Sequence, residues 1–319
     1  MSKLNIVNDI SWSEHRSGWN YVLSLLMSQY QAKGIIVDGC IDATFGYQEV
    51  LSKSKQIPYV EDWVGFLHHP INICPWYYQD NLSPQYVIKC EAFQNSLPCC
   101  KGIFTLSEHL AVYLRRMTNY SIEVQSLFHP TEKPALTFDL ENFRGERKVS
   151  QVGSWMRNLT SIFKLRAEGY DKYMPLTRLS KAYLNKEIGF LNNLIWDELN
   201  STIIINYLSN TDYDELLSES IVFLDLYDSS ANNTIIECIV RNTPILVNKI
   251  PPVIEYLGKD YPFFYENLQE AEEMLYNDNL IKITHEYLKE YLPKGRLNGS
   301  SFLENFHNSN IFKSDKLSY

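Results

Sequence analysis

The chain has 319 residues, of which 45% are hydrophobic and 13% aromatic, and its formal net charge is -9. This length and apolar content predict a globular protein with one large or two ordinary domains. The negative charge excludes a broad nucleic-acid-binding surface, because such a surface needs a basic patch. We therefore expect no nucleic acid among the partners.

The start of the chain and its cysteines bear on compartment and metal binding. The first ten residues, MSKLNIVNDI, are too polar for a secretory signal, and no apolar stretch approaches the ~18 residues of a membrane span. We therefore expect a cytoplasmic protein without a transmembrane segment. The six cysteines show no C-x-x-C spacing, which favours reduced thiols. Zinc binding by His68, His69 and nearby cysteines is the alternative to a chain without a metal site.

Apolar strands alternate with helices in the first half of the chain. Helices are expected at 19–30 and after Ser107, a typical N-cap residue before the i, i+4, i+7 stripe of Leu110, Leu114 and Met117. Alternation of this kind is typical of parallel, doubly wound sheets. The expected strands are 4–10, 34–39, 63–69 and 102–107.

Residues 130–147 are polar and lack a clear period, so we interpret them as a linker between two domains. The alternation then restarts. Strands are expected at 148–155 and 201–208, with helical signals at 176–198, 212–217, 268–276 and 283–292. The predicted fold class is α/β with two Rossmann-like, doubly wound domains. The predicted division is 1–140, 141–295 and a tail, 296–319, that packs back on the first domain and is irregular over 306–319.

The most informative segment is 221–258. It contains a buried-type strand (IVFLDL), a polar turn (YDSSANN), a helix over 231–241 that ends at Asn242-Thr243-Pro244, a second strand (PILVN) and an acidic turn. The first N–H groups of a helix lack partners and carry the positive end of its dipole. A strand that enters a helix through small polar residues therefore predicts a site for a phosphate-bearing ligand.

This segment resembles the donor-binding region of GT-B glycosyltransferases, particularly the retaining group akin to family four. Asn242-Thr243-Pro244-Ile245 matches the G-T-P-V-type strand, residues 251–255 match the G-x-P-E turn, and Glu237 matches the second glutamate of the E-x7-E motif. Ser229 stands where the first glutamate belongs, and Asp228 lies one residue earlier. The resemblance implies a GT-B fold, with the two domains facing a cleft.

The resemblance also implies the reaction. Residues 141–295 would bind a nucleotide-diphosphate sugar, with a UDP- or GDP-sugar as the expected donor, and residues 1–140 would bind a glycan or another hydroxyl acceptor. Sugar transfer would retain the anomeric configuration and would require no metal or other cofactor. Glu237 would accept hydrogen bonds from the ribose hydroxyls. The alternative for Glu237 is a solvent-facing i, i+4 ion pair with Arg241.

Further residues of the second domain are donor-site candidates. In the resembling enzymes an arginine and a lysine after the first strand hold the diphosphate, which implies that role for Arg157 and Lys164, beside Ser154. Arg157 would also act in catalysis, because a guanidinium can stabilise the leaving phosphate through two parallel bonds. The alternative for both is an ordinary surface charge. The polar turn either only caps the helix or contacts the donor; the remaining donor-site candidates are Tyr207, Asp228, Ser229, Asn232, Asn233 and Thr234.

The acceptor side is less sharply defined. The resemblance implies that a histidine at a strand end contacts the transferred sugar, so His69 is a catalytic candidate and His68 an acceptor-binding one; the alternative is a structural role for both. His15, Arg16 and Gly18 either approach the acceptor, with the glycine allowing close contact, or form a plain turn. The aromatic loop 74–86 either stacks on an acceptor sugar or forms a self-packing lid.

Two rival functions fit the same fold. One is a non-catalytic module that binds a nucleotide or carbohydrate, or that serves in assembly, which the incomplete E-x7-E motif favours. The other is a phosphate-cleaving or epimerising enzyme. Transfer or hydrolysis of a donor discriminates between these possibilities.

Overall fold

The computed structural model describes residues 3–7, 17–47, 57–77, 80–191, 202–206 and 208–313. Three candidate site residues, His15, Arg16 and Tyr207, lie outside this part of the chain. The described strands are β1 (Leu4–Val7), β2 (Ile35–Asp38), β3 (Trp63–Leu67), β4 (Cys100–Thr105), β5 (Val124–Ser126), β6 (Lys148–Ser150), β7 (Asp171–Pro175), β8 (Ile203–Ile205), β9 (Ser220–Leu224), β10 (Ile245–Asn248) and β11 (Phe264–Tyr265).

Helices separate most of these strands, and a π-helical turn lies at Tyr287–Tyr291. The described helices are α1 (Trp19–Met27), α2 (Ile41–Gly46), α3 (Pro84–Val87), α4 (Glu91–Ser96), α5 (Glu108–Met117), α6 (Leu140–Glu146), α7 (Ser161–Lys164), α8 (Arg178–Leu191), α9 (Asn210–Glu219), α10 (Asn233–Arg241), α11 (Pro251–Leu257), α12 (Leu268–Leu275), α13 (Asp278–Glu286), α14 (Gly299–His307) and α15 (Asn310–Lys313).

Two all-parallel sheets organise the described residues, and the α/β prediction is confirmed. In the first half the strand order is β1-β2-β3-β4-β5. In the second half it is β11-β10-β9-β6-β7-β8. Starting from β6, the chain fills one side of that sheet as far as β8 and then crosses to β9 on the other side. The loops after β6 and β9 therefore diverge, and such a topological switch point is where open parallel sheets bind ligands.

Apolar residues at these strands and helices form the cores. One face of the first sheet packs on α1, and the other packs on the helices between β2 and β5. The second sheet has its own core, in which Ile235, Ile236 and Ile239 of α10 are buried. The side chain of Asn232 caps the start of α10, and Asn242 ends it with a left-handed φ of 62°.

The predicted linker is not irregular. Its second part forms α6, because the Asp139 side chain accepts hydrogen bonds from the backbone N–H groups of Glu141 and Asn142, both at 3.0 Å. Phe143 of this helix is fully buried. The backbone before it is tied to the second half, since Phe138 N–H donates to the Arg241 carbonyl at 2.8 Å. The segment showed no helical periodicity in the sequence because the short helix that it forms buries a single aromatic residue, Phe143. The division of the chain at 140 and 141 stays a prediction.

The prediction of an irregular segment at 306–319 is wrong for its described part. Helix α14 extends to His307, and α15 follows at Asn310–Lys313. Phe306 stacks on Phe66 and packs against Phe104 at ring-centroid distances of 6.0 and 5.0 Å. These contacts place the two last helices against the first sheet. The aromatic residues here pack these short helices against the sheet. The helices are too short for their apolar residues to show a clear helical periodicity in the sequence.

The sequence predicts an acidic turn after the second strand of the 221–258 segment, with residues 251–255 matched to the G-x-P-E turn, and the structure forms α11 there instead. Pro251 and Pro252 occupy the first turn, where a missing N–H costs no hydrogen bond. Glu255 of this helix reaches the first half of the chain. Its carboxylate accepts hydrogen bonds from the N–H groups of Glu108 at 2.6 Å and His109 at 2.7 Å. The residue matched to the G-x-P-E turn thus caps α5 and ties the two halves together.

Candidate active site

A cleft of about 330 Å³ lies between the two halves. Every part of its wall comes from the start of α1 or from a segment that follows a strand, so the cleft lies at the carboxyl edge of the sheets. It is lined by Gly18, Trp19, His68, His69, Pro70, Leu106, His129, Trp155, Met156, Arg157, Asp228, Ser229, Ser230, Ala231, Asn232 and Asn233. Most of the candidates that follow β3, β6 and β9 are therefore brought together.

Arg157 comes from the loop after β6, and its guanidinium is held in a buried position. The residue is only 7% exposed. Nη2 donates to Asn232 Oδ1 at 3.1 Å and to Thr234 Oγ1 at 2.9 Å. Nη1 donates to the Trp155 carbonyl at 2.9 Å. These bonds fix the positive charge against the first turn of α10.

The charge of Arg157 has no carboxylate within ion-pair distance among the described residues, and its Nε is buried without a partner there. Burial lowers the pKa of the guanidinium, while the more distant Tyr213, Tyr77 and Glu237 act in the opposite direction. A buried cation is costly unless an anion contacts it. The arrangement therefore indicates a binding site for an anionic group of a ligand.

Gly153 provides the space in which the Arg157 guanidinium lies. Its φ is +75°, and a Cβ atom there would lie 2.7 Å from Arg157 Cζ. We expect Gly153→Ala to displace the guanidinium and to weaken UDP binding by about tenfold or more, since a strained backbone and a shifted group cost at least ~1 kcal/mol each. Isothermal titration calorimetry with UDP measures this change.

Gly169→Ala is the matched control for this prediction. Gly169 has a similar φ of +78°, but no heavy atom lies within 4 Å of its would-be Cβ. The control should therefore have the same backbone strain and a similar loss of melting temperature, with UDP affinity unchanged. Equal losses of affinity in the two variants would contradict the role assigned to the space above Gly153.

The N-terminus of α10 adds to the positive potential beside Arg157. Asn232 caps this end by accepting a bond from the N–H of Ile235 at 3.3 Å, and Asn233 opens the helix at the cleft wall. Ser230 Oγ and Trp19 Nε1 are buried without partners among the described residues, and both side chains line the cleft. Unpartnered polar atoms beside a cation and a helix N-terminus suit a ligand with phosphate and hydroxyl groups.

Asp228 lies in the polar turn but is engaged by the first half of the chain. Its Oδ2 accepts bonds from the backbone N–H of Asn72 at 2.9 Å and from the Asn72 side-chain amide at 3.0 Å. Its Oδ1 accepts the N–H of Ser229 at 2.7 Å. The carboxylate thus connects the turn after β9 to the loop after β3.

Glu237 is buried, so the alternative of a solvent-facing pair with Arg241 is wrong. Ser17 Oγ donates to Glu237 Oε1 at 2.7 Å, and the carboxylate also raises the pKa of Tyr213, although burial is the main cause of that rise. Arg241 donates instead to Asp214 Oδ1 at 2.5 Å. Glu237 does not line the cleft described above.

The two histidines differ in their surroundings. His68 Nε2 lies 2.8 Å from the Gly39 carbonyl, and its ring packs edge-on against Trp19. Burial lowers the pKa of His68, although Asp42 opposes this effect. His69 Nδ1 lies 3.0 Å from Asp42 Oδ1, and the His69 side chain is 17% exposed. His68 is thus built into the wall, whereas His69 presents part of its ring to the cleft.

Several other candidates lie outside the cleft. Ser154 Oγ accepts a bond from Ser180 Oγ at 3.1 Å. Lys164 ends α7 and lies near Asp225, whose carboxylate it affects electrostatically. Two aromatic residues of the 74–86 loop fit the self-packing alternative, because Trp76 and Tyr77 are buried in the core of the second half. Tyr78 lies outside the described residues. The Tyr77 hydroxyl donates to the Ser154 carbonyl at 2.8 Å.

Three residues of this region were missed in the sequence. His129 follows β5 and lines the cleft, with Nδ1 2.8 Å from the Pro130 carbonyl. Trp155 lines it too, 5.2 Å edge-to-face from His69. Asp42 contacts His69. It lies in α2, four residues after the end of β2, so it was not among the residues at strand ends that the sequence marked. His129 follows β5, a short strand that the sequence pattern does not indicate. Nothing in the sequence therefore marked His129 as a site residue.

Two structural findings concern metals and membranes. In the described ranges, no three His, Cys, Asp or Glu side chains are grouped so as to hold a metal ion. Within the same ranges, no helix has the length and apolar character that a membrane crossing requires.

The fold can be compared with solved structures. No family model matches the chain, and no curated protein matches it in sequence. Sucrose-phosphate synthase from Thermosynechococcus elongatus is similar with a TM-score of 0.64 at 9% identity, over 94% of this chain and 78% of that one. HepE from Anabaena, in complex with UDP-glucose, is similar with a TM-score of 0.61 at 8% identity, over 93% and 82%.

TarM from S. aureus, in complex with fondaparinux, alpha-GlcNAc-glycerol and UDP, is similar with a TM-score of 0.57 at 11% identity, over 87% of this chain. The chain spans 55% of the length of that protein. These structures are GT-B glycosyltransferases. The chain therefore has a GT-B glycosyltransferase-like fold, as the resemblance predicted.

Proposed function

We propose that the protein transfers a sugar from a nucleotide-diphosphate sugar to a hydroxyl acceptor. The observation that carries this proposal is Arg157, a buried guanidinium without a carboxylate partner among the described residues, held against the N-terminus of α10 at the switch point of the second sheet. Fixed positive charge at that place would bind the donor diphosphate and stabilise it as the leaving group.

The other donor contacts follow from the same placement. Asn232, Asn233 and Ser230 line the cleft next to Arg157 and would contact phosphate and sugar oxygens. Glu237 would accept hydrogen bonds from the ribose hydroxyls. Lys164 stays a weaker candidate, because it lies near Asp225 and away from the cleft wall.

The finer parts of the proposal come from the resemblance. They are a UDP- or GDP-sugar donor, a glycan acceptor bound by the first half, a reaction without a divalent metal, and a cytoplasmic location. Retention of configuration is also implied by the resemblance.

A thermal-shift screen with UDP, GDP, ADP and TDP tests the donor site first. A ligand present at ~100 times its Kd stabilises the folded state by about 2.7 kcal/mol, which raises the melting temperature measurably. Release of the nucleoside diphosphate from the matching sugar nucleotide then tests catalysis. Absence of a shift with all four nucleotides would overturn the proposal.

One observation favours the non-catalytic alternative. Ser229 replaces the first glutamate of the motif, and the neighbouring Asp228 carboxylate is engaged by Asn72. A protein in which this position is used for contact between the halves could bind a nucleotide without turning it over. A nucleotide-dependent melting shift with no release of nucleoside diphosphate would support this alternative.

A further inference from the structure

The loop that follows β3 (residues 70–77, the β3 loop) starts in the first half of the chain and ends inside the second. Trp76 and Tyr77 are 6% and 2% exposed and belong to the core of the second sheet. The Trp76 ring packs against Tyr227 and Phe190 at ring-centroid distances of 5.0 and 5.3 Å. The β3 loop therefore cannot leave the second half without exposing two large aromatic side chains to water.

Tyr77 contacts the turn that carries Arg157. Its hydroxyl donates to the Ser154 carbonyl at 2.8 Å and lies 3.4 Å from the Arg157 carbonyl. Its ring packs against the ring of Trp155 at 4.7 Å, and the Trp155 carbonyl accepts a bond from Arg157 Nη1. Burial raises the pKa of Tyr77, so the hydroxyl keeps its proton and remains a donor at neutral pH. A residue of the first half therefore contacts both ends of this turn.

The turn at 154–157 needs support from outside. Met156 has a φ of 57°, a left-handed conformation that is costly for a residue with a Cβ atom and persists only where the surrounding structure holds it. The turn's own backbone bond, from the Arg157 N–H to the Ser154 carbonyl, is long at 3.5 Å. On one side Tyr227 N–H donates to the Met156 carbonyl at 3.0 Å. On the other side, the 2.8 Å bond from Tyr77 is the stronger polar restraint on the Ser154 carbonyl.

Asn72, in the same loop, engages a carboxylate at the cleft wall. Its backbone N–H and its side-chain amide donate to Asp228 Oδ2 at 2.9 and 3.0 Å, and the Ser229 N–H donates to Asp228 Oδ1 at 2.7 Å. Asp228 and Arg157 line the same cleft. Opposite charges attract strongly where little water screens them, so a carboxylate released by Asn72 would turn towards the guanidinium and compete with a bound anion. The bonds from Asn72 therefore keep the positive charge of Arg157 available to a ligand.

We propose that the β3 loop preorganises the anion site of the second half. Tyr77 is a positioning residue that holds Arg157 in place, and Asn72 is a positioning residue that keeps Asp228 away from the Arg157 guanidinium. Neither Tyr77 nor Asn72 lines the cleft, so each acts through a residue that does. This proposal rests on the proposed function, with a nucleoside diphosphate group as the ligand. Its consequence is that donor binding by the second half depends on residues of the first.

Tyr77→Phe removes the hydroxyl and keeps the buried ring. We expect it to weaken binding of UDP, GDP or inorganic pyrophosphate, whichever the wild type binds, by about three- to tenfold in calorimetry, the range of one buried hydrogen bond. Tyr261→Phe is the matched control, because Tyr261 is 3% exposed, its hydroxyl donates to the Ile245 carbonyl at 2.9 Å, and neither residue lines the cleft. The control should lower the melting temperature to a similar extent and leave the affinity within about twofold.

Hydrogen exchange in the unliganded full-length chain tests the same role without a ligand. The turn should open more often in Tyr77→Phe, so exchange of the amides at 155–158 should rise by about three- to tenfold, whereas Tyr261→Phe should leave it unchanged. The role of Tyr77 would be overturned by unchanged exchange in Tyr77→Phe, by an affinity loss of less than about threefold, or by equal affinity losses in both variants.

A double-mutant cycle tests Asn72. Asn72→Ala removes the side-chain bond to Asp228 and should weaken binding of the same ligand by about threefold or more. In a protein that already carries Asp228→Asn, the same substitution should change the affinity by less than about twofold, because the amide has no charge with which to pair with Arg157. An equal loss in the two backgrounds would show that the charge of Asp228 is not the cause and would overturn the role of Asn72. No loss in the single variant would do the same.

The three ligands separate a failure of the positioning roles from a failure of the proposed function. Pyrophosphate has the diphosphate without the nucleoside. If it binds in a way that depends on Tyr77 and Asn72 while UDP and GDP do not bind, the preorganised anion site stands and the nucleotide-sugar assignment fails. If UDP or GDP binds with an affinity that neither substitution changes, the proposed function stands and the β3 loop has no positioning role. If none of the three ligands binds, both fail.

Discussion

Replacing Arg157 with methionine is expected to weaken UDP and GDP binding by about 100-fold or more while leaving the unliganded protein about as stable as the wild type. The loss of affinity follows from removing charge-assisted bonds to the diphosphate, each worth about 1.5–3 kcal/mol. Stability should hardly change because two effects oppose each other. Three neutral acceptors lose a donor, whereas a buried charge without a carboxylate partner among the described residues disappears.

Two measurements check this expectation. Calorimetry with UDP and GDP gives the affinity, and urea unfolding without ligand gives the stability. Arg157→Lys is the conservative comparison; it keeps the charge but loses the bonds to Asn232 and Thr234, so its affinity should lie between the other two proteins. If Arg157→Met bound nucleotide as tightly as the wild type, Arg157 would not be the diphosphate site.

The donor half was the more predictable part of the molecule, because its signals are local. The strand IVFLDL, the capping residues of the polar turn and the helix to Arg241 are continuous in the chain, and the structure forms β9, the turn and α10 there. Arg157 was predictable for a similar reason, since it follows a strand end. What the sequence did not show is that its guanidinium is buried against Asn232 and Thr234.

The contacts between the halves could not be predicted, because they join residues far apart in the chain. Asp228 bonds Asn72 across 156 positions, and Ser17 bonds Glu237 across 220. Asp42 shows the same limit, since its partner His69 lies 27 residues further on. Residues matched to a family motif can thus be used for internal contacts, as Glu255 is when it caps α5.

Arg241 provides the second prediction, because it is the buried arginine that has a carboxylate partner. It is 1% exposed, and its Nη2 lies 2.5 Å from Oδ1 of Asp214, which is 2% exposed. We expect Arg241→Met to reduce the free energy of unfolding by about 3–5 kcal/mol, because Asp214 keeps its buried charge after losing its arginine. The bond from Arg241 Nη1 to the Glu237 carbonyl is lost as well. The urea midpoint measures the change.

The double variant Arg241→Met/Asp214→Leu tests the cause of that loss. Replacing both members of a buried ion pair with apolar residues is often neutral or stabilising, so the double variant should recover most of the lost stability. UDP affinity should stay within about threefold in both proteins, since neither side chain lines the cleft.

Together with Arg157→Met, this gives opposite outcomes for two buried arginines: one variant loses ligand binding and keeps stability, and the other loses stability and keeps binding. A single variant as stable as the wild type would show that the Arg241–Asp214 pair does not stabilise the second half, and a double variant no more stable than the single one would show that the loss does not come from the charge left on Asp214.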